Sequence, residues 1–226
     1  MALPGRRVLS HRWFAGAWPV AARLLESAGV TSHRRRLLAP LTGRVLEVGA
    51  GDGRNFPHYP AGVTEVVAIE PNPHLRRRAR TAAEHASVPV TVHAGTAEEP
   101  SVAAGFDAAV CCLVLCSVTD PVAALRGIAG VLNPGGRLRF LEHVVADDPR
   151  HRRVQRALDA TVWPALTGGC HTARDTLTAL NDAGFHVIEV DRFRFPAGRV
   201  PTPTSPHVLG EAVLRAAGSG SSAAAG

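Results

Sequence analysis

The stretch from Arg44 to Glu70 limits what this chain can fold into more than any other. Val45, Leu46 and Val48 form an apolar run suited to a buried strand. The run stops at Gly49-Ala50-Gly51-Asp52-Gly53, where glycines permit positive φ and let a ligand come close to the backbone. A second β-branched run, Val63 to Ile69, ends in Glu70, about 20 residues past the turn, a spacing that suits an acidic group holding two ribose hydroxyls. The two features together describe a nucleoside site. The dinucleotide fingerprint G-x-G-x-x-G would place a glycine where Arg54 stands, so a nicotinamide dinucleotide fits poorly.

Further along, strands and helices alternate. Pro71-Asn72-Pro73 opens a helix from about His74 to His85, Val88 to His93 is a third strand, and Gly95-Thr96-Ala97-Glu98 follows it. Phe106 to Leu113 is a continuous apolar run of the kind buried on both faces of a parallel sheet. Asp120-Pro121 opens a helix to about Leu132, and the turn Asn133-Pro134-Gly135-Gly136 leads into a strand from Arg137 to His143. Five strands alternating with helices predict an α/β, doubly wound, mostly parallel sheet. A helix from about 149 to 166 follows, with Val154, Leu158, Thr161, Val162 and Leu166 as its apolar stripe. A helix from Thr172 to Ala183 ends at Gly184, and Phe185 to Asp191 and Val208 to Leu214 read as an antiparallel edge hairpin, giving seven strands.

Before the first strand, Trp13, Phe14, Trp18, Ala21, Leu24 and Leu25 recur at helical intervals, interrupted by Pro19, and Thr31 precedes a helix carrying Arg34 to Leu38. Residues 1–40 are therefore read as an N-terminal helical cover, 41–217 as the main domain, and the Gly, Ser and Ala tail 218–226 as disordered. After Gly53, Arg54-Asn55-Phe56-Pro57 predicts that any helix there is short or interrupted, with its first N–H groups facing a ligand carboxylate.

The net charge is +6, but all 25 basic residues are arginine and no lysine occurs, which points to coding bias rather than to a polyanionic partner. Runs such as Arg34-Arg35-Arg36 are read as solvated helix faces. No apolar run approaches 18 residues, so a cytoplasmic location with no transmembrane segment is expected. Cys111, Cys112, Cys116 and Cys170 contain no C-x-x-C pair, so buried thiols are preferred to a metal site or a disulfide framework.

The pattern Glu47-x-Gly49-x-Gly51-x-Gly53 with Glu70 resembles the class I S-adenosylmethionine-dependent methyltransferases, which have a Rossmann-like fold. That resemblance implies S-adenosyl-L-methionine as cofactor, held by Glu47, Gly49, Ala50, Gly51, Gly53, Asn55, Glu70, Pro71, Thr96, Ala97, Glu98, Cys112 and Leu113. Thr96 stands where many members have an acidic residue addressing adenine, so backbone at Thr96 and Ala97 or the side chain of Glu98 would substitute. Glu98 is equally readable as a first-turn helix residue favoured by the dipole.

Beyond the cofactor half, Cys112 to Val118, Leu141-Glu142-His143-Val144, Leu158-Asp159 with Trp163, Gly169-Cys170, Arg174, Ala183-Gly184-Phe185 and Pro206 to Val213 resemble the methyltransferase-like 7 family, the alkyl thiol S-methyltransferases. Members begin with a membrane-anchoring segment, which is not seen here, so membrane association is not expected. The resemblance implies direct methyl transfer to a small-molecule acceptor, a thiol in its specific version, with no metal required. His143, His171 and Asp159 are the candidate bases, and Cys116, Trp163, Cys170 and Arg174 the candidate acceptor pocket. A structural role competes with each. Quinone-like or lipid acceptors, and a non-catalytic S-adenosylmethionine-binding regulator, are the alternatives. The lack of interleaved basic and aromatic residues argues against nucleic acid, and the oligomeric state is left open.

Overall fold

The computed structural model describes residue 16 and residues 23–161, 163–198 and 201–214. The expectations for Trp13, Phe14, Trp18, Ala21, Val162 and the tail 218–226 lie outside these residues. The elements run α1 (Val30–Leu38), β1 (Gly43–Val48), a 3₁₀ turn (Phe56–His58), β2 (Val63–Ile69), α2 (Pro73–Ala83), β3 (Val90–His93), β4 (Phe106–Cys112) and α3 (Pro121–Ala129). There follow β5 (Leu132–His143), α4 (Pro149–Asp159), α5 (Trp163–Leu166), α6 (Thr176–Asp182), β6 (Phe185–Arg194) and β7 (Pro206–Leu214).

One seven-stranded sheet has the order β3-β2-β1-β4-β5-β7-β6. The first five strands pair in parallel, while β7 is antiparallel to both β5 and β6. The chain leaves β1 towards β2 and β3 and later returns to β4, so the order reverses between β1 and β4. In open α/β sheets that switch point, at the carboxyl ends of the strands, is where ligands bind. Register aligns those ends: Val48 lies opposite both Ile69 and Cys111, Cys112 opposite Leu141, and His143 opposite His207.

Alternation along each central strand divides two cores. Leu46, Val48, Val67, Ile69, Ala109, Cys111, Leu138 and Phe140 pack on one face, and Val45, Val66, Ala68, Ala108 and Val110 on the other, with Leu37, Leu38 and Phe56. Glu47 shares the parity of Val45 and so projects onto the face covered by α1, where a carboxylate needs polar company. Asn72, Asp120, Asp148 and Asp175 each cap the following helix through the side-chain oxygen, and three of them precede a proline at the first helical position.

After β1 the chain turns through Gly51 and Gly53 into a single 3₁₀ turn containing Pro57, the short element expected there, and too short for a macrodipole to develop. Three expectations are corrected. The helix expected over 149–166 divides into α4 and α5, because Pro164 cannot donate back into a continuous helix. Its stripe is also not a buried seam: Val154 is 52% and Leu166 59% exposed, and the buried residue of α4 is Gln155. The last helix begins at Thr176 rather than Thr172, since Thr172 and Ala173 bond to Asp159 and Asp175 takes the cap.

Candidate active site

The turn after β1 has positive φ at Gly49, Gly51 and Gly53. A Cβ on Gly49 would lie 2.7 Å from a Val114 methyl, and one on Gly53 2.8 Å from Ala82 and Phe56. Only glycine lets this turn pass so close to its neighbours while holding that conformation. Ala50 N–H donates to Ile69 O at 3.0 Å and pins the turn to the end of β2.

Glu70 sits at that end, nearly buried, its carboxylate accepting from Gly51 N–H and Asn72 N–H, both at 2.8 Å. Burial pushes its pKa up to about 7 despite these bonds. Two N–H groups leave lone pairs of the carboxylate free for further donors. The Pro71 carbonyl accepts from Arg76, which also holds the Glu70 carbonyl. On the far side of β2, Thr96 Oγ1 accepts from Glu99 N–H, Ala97 is buried, and Glu98 accepts from Thr119 N–H, tying the β3 exit to the loop before α3.

Beneath the turn lies a polar network that the sequence did not suggest. Glu47 accepts from Asn55 Nδ2 at 3.0 Å and Tyr59 Oη at 2.7 Å. Asn55 Oδ1 in turn accepts from Arg34 at 2.8 Å, and Arg34 reaches Glu26 at 3.2 Å and Cys112 Sγ at 3.1 Å. Arg34, read from sequence as part of a solvated face, is 5% exposed: the buried face of α1 carries it inward beside Val30, Leu37 and Leu38. Glu47 and Asn55 therefore brace the cradle from below with their side chains. Burial pushes Glu47 up to about 7 and Cys112 up to about 11, in each case against the pull of Arg34.

The exit of β4 is strained. Leu113 has φ +59°, a left-handed conformation that costs a branched side chain about 1–2 kcal/mol. It is held there by Leu113 N–H donating to Leu141 O at 2.8 Å, and by Glu142, whose Oε1 accepts from Val114 and Leu115 N–H. Glu142 is fully buried, is pushed up to about 7 by burial, and its Oε2 has no partner among the described residues. In the sequence it stood only within the Leu141-Glu142-His143-Val144 match. The strained loop sends Val114 towards Gly49 and Cys116 towards the end of β5.

There the structure assembles residues far apart in the chain. Cys116 Sγ, a ring nitrogen of His143 and Cys170 Sγ lie within 4.8 Å of one another, with His143 Nε2 3.1 Å from Cys170 Sγ. Burial alone would lower the His143 pKa, but Cys170 and Glu142 outweigh it and leave it raised. The Cys116 sulfur, and then burial, push Cys170 well up. His143 Nδ1 is buried without a partner among the described residues.

His171 and Asp159 are differently placed. His171 N–H donates to Cys116 O, and its Nδ1 contacts Gly169 O at 2.8 Å and Arg174 at 3.3 Å. Asp159 accepts from Thr172 N–H, Thr172 Oγ1 and Ala173 N–H, and so clamps the loop that carries Cys170. Arg174 donates to Val118 O at 2.7 Å, and Trp163 is half-buried with its indole N–H unpartnered among the described residues.

Comparison with known proteins agrees with this geometry. A methyltransferase domain family model matches residues 46–140, which run from β1 into β5. The human thiol S-methyltransferase TMT1A is 33% identical over 217 residues, 91% of this chain and 87% of that protein. Human thiol S-methyltransferase TMT1B is 32% identical over 194 residues, 80% of this chain and 78% of that one. A solved S-adenosylmethionine-dependent methyltransferase of Thermotoga maritima, described as a possible histamine N-methyltransferase, superposes with a TM-score of 0.66 at 20% identity, covering 91% of this chain and 100% of its own. That likeness speaks for the fold.

Proposed function

Because this chain belongs to the thiol S-methyltransferase family of TMT1A and TMT1B and is an S-adenosylmethionine-dependent methyltransferase, we propose that its acceptor is a small thiol received at the exits of β4 and β5. One observation carries the proposal: the glycine turn and the cysteine–histidine cluster lie at the same carboxyl edge of the sheet and are linked through Val114, which packs on Gly49 while Cys116, two residues on, meets His143 and Cys170.

The residues of the cradle fit the cofactor. Glu70 keeps acceptor capacity for a ribose diol, and the turn of Gly49, Gly51 and Gly53 exposes backbone where a side chain would intrude. Residues 96–98 would border the base, and Leu113 would line the crevice from β4. When bound, S-adenosylmethionine supplies an electrophilic methyl group on a sulfonium.

What the chain itself must add is orientation, exclusion of water and a thiolate. An acceptor thiol with a pKa of about 8.5 is mostly protonated near neutrality, so the site has to take its proton or stabilise its anion. His143 and the two sulfurs beside it are the groups positioned to do so. The four cysteines are free thiols, which supports a reducing, cytoplasmic setting. Among the described residues no helix is long and apolar enough to cross a membrane.

The test is to incubate purified protein with methyl-labelled S-adenosylmethionine and a panel of alkyl thiols, phenols, quinols and amines, and to identify products by mass. Label on sulfur of an alkyl thiol is the expected result. Label on phenols or quinols with none on thiols overturns the acceptor assignment.

A further inference from the structure

The chemistry of the Cys116, His143 and Cys170 cluster goes beyond that of a pocket wall. The three donors come from three separate exits, those of β4 and β5 and the loop after α5, so no C-x-x-C spacing announces them. Each offers one ligand atom, and all three atoms fall within 4.8 Å. A tetrahedral zinc ion, with Zn–S near 2.3 Å and Zn–N near 2.0–2.1 Å, spaces such atoms roughly 3.5–3.8 Å apart. The contact of 3.1 Å between His143 Nε2 and Cys170 Sγ is therefore within a few tenths of an ångström of a coordination edge.

The His143 ring supplies a second, independent observation. Its Nε2 is turned to Cys170 and its Nδ1 is buried without a partner among the described residues, while the ring meets His207 edge-on with centroids 6.1 Å apart, so no hydrogen bond competes with the sulfurs for the ring nitrogens. Sulfur and imidazole donors without a carboxylate favour zinc over the hard cations.

We propose that Cys116, His143 and Cys170 form a zinc site with three protein ligands, whose open fourth position takes the sulfur of the acceptor as a thiolate. This rests on the thiol acceptor reading above. As the thiol binds, its S–H bond breaks, a Zn–S bond forms, and the displaced water and the proton leave to solvent. A lone pair remains on sulfur for attack on the methyl group. No oxidant or reductant is involved, and the two thiol protons of Cys116 and Cys170 are released when the metal loads. Three protein ligands with one open position is the arrangement of catalytic rather than purely structural zinc.

The test uses the full chain, reduced, loaded with Zn²⁺ alone and desalted. Metal content by plasma mass spectrometry should be about one zinc per chain, falling at least tenfold in both Cys116→Ser and Cys170→Ser. Binding of S-adenosylmethionine by calorimetry should persist in those variants and certify their fold. Replacing zinc by Co²⁺ should give thiolate-to-metal charge-transfer bands that shift when a small alkyl thiol is added. Wild-type protein that retains no zinc, or variants that keep it, overturns the site. Bands that ignore added thiol overturn the role of the fourth position. If zinc binds as described but only phenols or quinols are methylated, the acceptor reading fails while the metal site stands.

Discussion

Glu47→Gln isolates the buried network beneath the cradle. Glu47 is 2% exposed, and burial lifts its pKa from 4.5 to about 7, against the bonds from Tyr59 and Asn55 and the charge of Arg34. With the folded-state pKa above the unfolded one, folding favours the neutral acid. The contribution is complete below pH 4.5 and lost as pH rises through about 7. A shift from 4.5 to about 7 is worth about 3 kcal/mol, at 1.36 kcal/mol per pH unit. Glutamine preserves the shape: its Oε1 can accept from Asn55 Nδ2, and its amide can donate to the Tyr59 hydroxyl, which accepts as readily as it donates. The assay is urea unfolding of wild type and Glu47→Gln at intervals from pH 4.5 to 8. The variant should gain on wild type by about 3 kcal/mol across that range. Glu70 and Glu142 titrate in both proteins and cancel in the difference. A difference that stays flat with pH would show that Glu47 is ionised throughout, with Arg34 outweighing its burial, and the reasoning would fail.

Glu70→Ala removes the β2 acid and should weaken S-adenosylmethionine binding at least tenfold by calorimetry, since charge-assisted hydrogen bonds are worth about 1.5–3 kcal/mol each; Glu70→Gln should fall between. Arg34→Met strands Asn55 Oδ1 and leaves Glu47 without its nearby cation, so urea unfolding at pH 8 should show a loss of about 3–5 kcal/mol. Gly49→Ala puts a methyl against both Val114 methyls at a φ of +64°, and should cost about 1–3 kcal/mol of stability and lower cofactor affinity, read by thermal unfolding and calorimetry.

The cofactor half was legible because its chemistry is contiguous. Strand, glycine turn and acidic strand end lie within Arg44 to Glu70, and each residue type is demanded locally by φ or by a hydroxyl pair. Alternation of strands with helices gave the doubly wound class and the last two strands their antiparallel hairpin, while the order of the strands came only with the structure. Arg34 was not legible, because its burial depends on which face of α1 docks on the sheet, and three successive arginines give no hint of which points inward. Glu142 gave no sign of its role in bracing the loop after β4, since it sits in a strand that already carries Arg137, Arg139 and His143. The convergence of Cys116, His143 and Cys170 could not be read from spacing, since strand register and a left-handed Leu113 bring them together.

The helical cover shows why an apolar stripe misled. Gln155 is wholly buried, with its Oε1 accepting from Ala146 N–H and its Nε2 facing the carbonyls of Val144, Thr172 and Pro203. Asp159, one turn on, takes Thr172 and Ala173. Directional bonds of this kind fix position as well as attachment, which apolar contact does less well. The loop holding Cys170 is thus set against β5 by residues i and i+4 of one helix. Val154 and Leu166 are accordingly free of any duty to the core. The donor side of the crevice is braced in the same way, through Arg34, Asn55 and Glu47, by buried polar groups on a helix that precedes the sheet. Both sides of the site are therefore positioned by directional hydrogen bonds, beside which the ligand atoms of Cys116, His143 and Cys170 come within 4.8 Å of one another.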